Sequence, residues 1–256
     1  MAPGTAVGLN TEATQQAARL LRELRTAGSE ENRAGMARFG INAGNVLGVS
    51  IAVLRPMAKR AGRDHALAEA LWASRIHEAR ILASMVDEPE KVTVRQMEAW
   101  AREFDSWDLV DQCCANLFAR TPMAYRMAER WAGRKPEFVK RAGYALMASL
   151  AVKDKEAPDA AFERFLGIVE RGADDDRNFV RKAVNWALRQ IGKRNERLRG
   201  KAIRTAERIH AQGTRSARWI ATNALRELRG GRGGSSPGSG SVSRRLSERT
   251  PRTEQD

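Results

Sequence analysis

Apolar residues recur along this chain at three- and four-residue spacing. Ala17, Leu20, Leu21 and Leu24 set the pattern, which predicts a helix over 11–25. The same spacing predicts helices over 50–61, 64–74 and 75–86, the last broken at Asp87-Glu88-Pro89. Thr93 reads as the cap of a helix reaching Phe104, and Ser106 as the opening of the next. Thr121-Pro122 starts another, because proline is tolerated in a first helical turn. Further helices are predicted over 136–152, 159–171, 176–191, 195–211 and 215–228. Runs rich in Val, Ile and Thr are scarce, which argues against sheets.

Successive short-linked helices form antiparallel pairs, and stacked pairs make an α-solenoid. The expected fold is therefore all-α, with HEAT-like helix pairs at a period of roughly 35–45 residues. Its concave face should offer a basic groove. The helical domain is expected over 11–228. Residues 1–10, with Pro3, Gly4 and Gly8, are expected to be unstructured. So is the segment 229–256, which is rich in Gly, Ser and Arg.

Charge narrows the partners. Of the 256 residues, 45 are Lys or Arg and 31 are Asp or Glu, giving a net charge of +14 and a pI near 10.7. An acidic partner follows, with nucleic acid first and a membrane surface second. A GC-rich genome that favours Arg codons would leave the same mark. Cys113 and Cys114 are adjacent and have no other cysteine to pair with. That fits a reducing cytoplasm, and no apolar run approaches membrane-spanning length. No coiled-coil seam is visible, so a monomer is expected.

Tryptophan supplies six of the fifteen aromatic residues, so each one needs an explanation. Trp107 and Asp111 lie four apart in Ser106-Trp107-Asp108-Leu109-Val110-Asp111, on one face of a helix. A carboxylate weakens binding to a polyanion unless it stabilises a cation there. An aromatic ring beside it points to a cationic centre on nucleic acid, such as an alkylated base. His77-Glu78 opens like a zinc-binding helix, but Ile81 stands where the second histidine is needed, so no metal is expected. No other cofactor is implied.

Four ordered blocks carry a resemblance. They are Leu71-Trp72-Ala73-Ser74-Arg75-Ile76-His77-Glu78-Ala79-Arg80, Phe104 through Asp111, Phe138-Val139-Lys140-Arg141-Ala142-Gly143-Tyr144, and Asn178-Phe179-Val180-Arg181-Lys182-Ala183-Val184-Asn185-Trp186. Over about 39–225 the chain resembles the AlkD-like DNA alkylation repair proteins, alkylpurine DNA glycosylases built from HEAT-like repeats. The resemblance implies that Asp111 is the catalytic carboxylate and that Trp107 and Trp186 flank the damaged nucleotide. It implies a DNA-backbone contact at Arg141, with Lys140 adjacent. Arg181, Lys182 and Arg189, followed by Lys193 and Arg194, extend the basic cluster expected to hold phosphates. The implied partner is double-stranded DNA containing alkylated bases.

The chemistry is consistent with so few residues. A purine alkylated at N3 or N7 is cationic and leaves without protonation, so a second carboxylate is dispensable. One anion near C1′ then stabilises the oxocarbenium-like sugar, and indole faces favour the cationic base. No lysine stands out as a Schiff-base nucleophile, so hydrolysis without strand cleavage is expected. Two other readings stay open. One is a non-catalytic solenoid that binds distorted or branched DNA, and the other is a protein-binding repeat array. Trp72, Trp100, Trp131 and Trp219 are expected to be packing residues, with Glu78 and Arg80 pairing between repeats.

Overall fold

The computed structural model describes residues 5–230, and side-chain surroundings from residue 11 onward apart from Ala43. The helices are α1 (Thr5–Thr26), α2 (Glu30–Arg38), α3 (Ile51–Ala61), α4 (His65–Ala73), α5 (His77–Val86), α6 (Val94–Arg102) and α7 (Trp107–Asn116). They continue with α8 (Ala124–Ala132), α9 (Glu137–Lys153), α10 (Asp159–Arg171), α11 (Asn178–Gly192), α12 (Glu196–Ala211) and α13 (Arg215–Arg229). Two short 3-10 turns complete the regular structure, and no strand occurs among the described residues.

Several helix starts follow from their caps. Thr93 Oγ1 accepts from Gln96 N–H at 3.1 Å, Asn195 from Leu198 at 2.9 Å and Asp64 from Leu67 at 2.9 Å. Each satisfies a donor that the first helical turn leaves free. Ser106 also precedes its helix, but its hydroxyl makes no cap bond.

Two expectations need correction. Residues 5–10 were expected to be unstructured, but α1 already begins at Thr5. Ala13, Ala17, Leu20 and Leu24 are buried. Once that stripe nucleates the helix, extending it backward adds a bond per residue, even through Gly8. Helix α2 went unseen because it buries none of its residues, so no hydrophobic period marks it. Residues 1–4 and 231–256 lie outside the described residues, including most of the Gly/Ser/Arg-rich tail.

The helices form two layers. In one, α3, α5, α7, α9, α11 and α13 pack each on the next. In the other, α4, α8, α10 and α12 back onto this row, with α4 against α5, α8 against α9, α10 against α11 and α12 against α13. Helices α4, α6, α8, α10 and α12 begin at His65, Val94, Ala124, Asp159 and Glu196. The repeat is thus about 30 residues early and lengthens to about 37 later, shorter than the roughly 40–47 residues usual for HEAT repeats.

Helix α9 is the centre, buried all round from Arg141 to Ala151. Small side chains make that possible. A Cβ on Gly143 would lie 2.3 Å from the backbone nitrogen of Ala132, so α8 and α9 touch through their backbones. The tryptophans outside the candidate site divide as expected between core and surface. Trp72 and Trp100 stack at 3.9 Å and Trp131 is fully buried, while Trp219 is exposed.

Candidate functional site

The row α7–α9–α11–α13 runs parallel, with its N-terminal ends along one edge. Side chains in the first two turns of each helix reach the next. Arg141, on α9, donates from Nε to Asp111 Oδ1 at 3.1 Å and from Nη2 to Asp111 Oδ2 at 2.7 Å. Its Nη1 donates to the Phe179 carbonyl at the start of α11, at 2.7 Å. On α11, Arg181 lies 4.8 Å from the centroid of Trp219, in the second turn of α13.

Trp107 and Asp111 do share a face of α7. The Arg141 guanidinium lies 5.8 Å from the Trp107 ring centroid while bonding Asp111. Arg141 is buried, but 15% of the Asp111 side chain reaches solvent. Burial pushes the Asp111 carboxyl above its ordinary range. Arg141 opposes that shift by charge and hydrogen bond, and Asp108 adds to it by repulsion. A carboxylate that is partly open, desolvated and held in a fixed orientation is suited to meeting developing positive charge.

Asp111 has a second carboxylate close by on the same helix. Asp108, one turn earlier, faces the other way and meets His77 Nε2 on α5 at 2.8 Å. Burial alone would lower the His77 pKa, but the bond and charge of Asp108 raise it overall. Burial would likewise raise the Asp108 pKa, yet His77 brings it below the ordinary value. This pair ties α5 to α7.

Trp186 sits elsewhere. It packs half-buried against the core, two turns beyond Phe179 on α11, or about 10 Å along the axis. Among the described residues no ring contact joins it to Trp107.

The expected phosphate-holding cations are mostly committed to the protein. Lys140 pairs with Asp175 at 2.8 Å. Arg189 and Lys193 both pair with Glu227 on α13. Arg194 donates to the Ala151 and Asp154 carbonyls at 2.9 and 2.6 Å, closing the end of α9. Lys182 is exposed and has no ion pair among the described residues. Arg141 uses its Nε and both terminal nitrogens within the protein, so it is placed to orient Asp111 rather than to reach outward.

One element of the site was missed. The segment after α2 crosses the row as a strap. The Phe39 carbonyl accepts from Trp107 Nε1 at 3.0 Å, and Asn42 Nδ2 donates to Asp105 Oδ2 at 3.1 Å. Gly40 has φ 74°, and a Cβ there would lie 2.9 Å from Phe179 Cζ. Glu78 anchors the far end, accepting from the backbone of Leu47, Gly48 and Val49. Glu78 thus serves a loop, while Arg80 pairs with Glu103 and covers Trp72. The signals were present in Phe39-Gly40 and in Ser29 before two glutamates, but without apolar spacing they gave no element.

Cys113 and Cys114 are buried free thiols whose pKa values burial raises. Among the described residues no group of three or more His, Cys, Asp or Glu could hold a metal ion. No described helix is long and apolar enough to cross a membrane.

A two-layered helical repeat carrying a Trp-Asp-Arg cluster at aligned helix ends defines the class as a HEAT-like repeat protein. A family model described as DNA alkylation repair enzyme matches residues 20–228, and the chain belongs to that family. A solved structure described as "A new family of proteins related to the HEAT-like repeat DNA glycosylases with affinity for branched DNA structures" has the same fold. The TM-score is 0.67 at 21% identity, over 74% of this chain and 81% of that one. None of the curated proteins matches the sequence.

Proposed function

We propose that this chain is a monofunctional alkylpurine DNA glycosylase. It hydrolyses the N-glycosidic bond of cationic N3- or N7-alkylated purines in duplex DNA, as a monomer in the cytoplasm. The observation that carries the reading is Asp111: partly exposed, desolvated, fixed by Arg141 and one turn from the half-buried Trp107 indole.

The reaction needs little else. The C1′–N bond breaks and its electron pair goes to the purine, which leaves neutral. Positive charge develops on the sugar, where the Asp111 carboxylate stabilises it. Water adds at C1′ and loses its proton to solvent. Arg141 is a positioning residue that holds both carboxylate oxygens. Trp107 favours a cationic base over a neutral one by about 0.5–2 kcal/mol, and Trp186, farther along α11, would meet the neighbouring nucleotide. Lys182 and Arg181, in the first turns of α11, would meet phosphates of a duplex laid along the row, while Lys140 is held by Asp175.

The test is release of 7-methylguanine and 3-methyladenine from methylated duplex DNA, with Asp111→Asn alongside. Release by the wild type but not by the variant supports the reading. A second reading, a non-catalytic binder of branched DNA, draws on one fact: both Asp111 oxygens already accept from Arg141. Its signature is DNA binding without base release by either protein.

A further inference from the structure

Trp219 is the one tryptophan left outside both the core and the candidate site. It is 37% exposed, one of few large apolar side chains in the open. Arg181 covers it at 4.8 Å, and the Arg181 Nε is buried without a hydrogen-bond partner. Arg215, Arg218 and Arg226 are exposed on the same helix. None of the three has an ion pair among the described residues. The only acid of α13, Glu227, is taken by Arg189 and Lys193. Helix α13 is also the last of the described row, so no further described helix covers its flank.

We infer that the exposed face of α13 is a second nucleic-acid contact, which takes an unpaired strand leading out of the duplex. The inference rests on the reading that this chain binds DNA. Charge favours an anionic occupant: Arg215, Arg218 and Arg226 carry no ion pair among the described residues, and they outnumber the exposed Asp174 and Asp176 of the loop whose Asp175 carbonyl accepts from Ser216 Oγ at the start of α13. The indole narrows it further. A base inside a duplex hides its faces in the stack, whereas an unpaired base presents one for stacking on Trp219. Arg181, already over the ring, adds cation–π attraction. Continuity supports the same occupant. Arg181 is two residues from Phe179, whose carbonyl holds Arg141, so the platform ends the same row of helix N-termini that carries Asp111.

The experiment compares the full chain on a blunt duplex and on the same duplex with a single-stranded thymidine arm. The expected result is an affinity gain on the order of tenfold from the arm. Trp219→Ala removes that gain and leaves blunt-duplex affinity unchanged, and Trp219→Phe keeps most of it. An unaltered circular dichroism melt checks that each variant folds. The Arg215→Ser/Arg218→Ser/Arg226→Ser variant lowers the salt slope of arm binding by about two. No gain from the arm in the wild type, or a gain that survives Trp219→Ala, overturns the inference while DNA binding stands. Competition by polyglutamate as strong as by thymidine oligomer would make the face a protein contact instead. Binding of neither DNA would remove this inference together with the reading beneath it.

Discussion

Asp108 and Asp111 lie one turn apart on α7, with 16% and 15% of their side chains exposed. Exposure does not separate them; their partners do. Asp108 turns back to a histidine on α5 and is held below the ordinary carboxylate range. Asp111 turns forward to an arginine on α9 and is pushed above that range by burial. The first arrangement joins two helices. The second leaves a desolvated carboxylate facing the open edge beside an indole. Identical side chains one turn apart are therefore assigned different roles by the helices on either side.

The largest effect that would sharpen the contrast is on catalysis. Asp111→Asn should lower base release about 100- to 1000-fold, the scale for losing one preorganised electrostatic contact. Duplex affinity should change little, as gel-shift titration would show. Asp108→Asn should do the reverse, keeping release within about tenfold while costing stability. It leaves His77 buried with a weakened partner, at about 1–3 kcal/mol, read as a lower thermal midpoint.

Acidity separates the two next. Release needs Asp111 ionised, so its rate should rise with pH through a value above the ordinary carboxylate range. Removing the neighbouring negative charge with Asp108→Asn lowers that pKa and moves the acid limb to lower pH, which a pH–rate profile measures. Stability follows the other pair. His77, raised in the folded state, contributes fully below its ordinary 6.5 and loses the contribution as pH rises through the folded value. Asp108, lowered, contributes above 3.8 and loses it as pH falls through its folded value. Asp108→Asn should flatten both edges of the melting midpoint against pH.

The smallest effect concerns the strap. Gly40→Ala meets both a positive φ and the Phe179 ring. It should destabilise the strap by about 1–3 kcal/mol. Faster amide exchange across 39–49, with α9 unchanged, is the expected readout.

The helices were legible because most of them bury a periodic stripe, and Thr93 and Asn195 announce their own starts. The shared face of Trp107 and Asp111 was legible for the same reason, since four residues on a helix fixes direction. The partner of Asp111 was not. Arg141 was expected to face DNA, but whether an arginine turns inward depends on how closely α9 approaches α7, and Gly143 and its small neighbours set that distance in three dimensions. Arg189 and Lys140 were read as free charge for a similar reason, because their acids lie 38 and 35 residues away. The strap was not legible because its buried residues, Val46 and Val49, sit in an irregular segment with no helical period.

The most direct test is single-turnover release of 7-methylguanine at saturating enzyme, with Asp111→Asn against Asp108→Asn. The account predicts background release from the first and near-wild-type release from the second. Activity in Asp111→Asn with none in a folded Asp108→Asn would contradict it and move the chemistry to the His77–Asp108 pair.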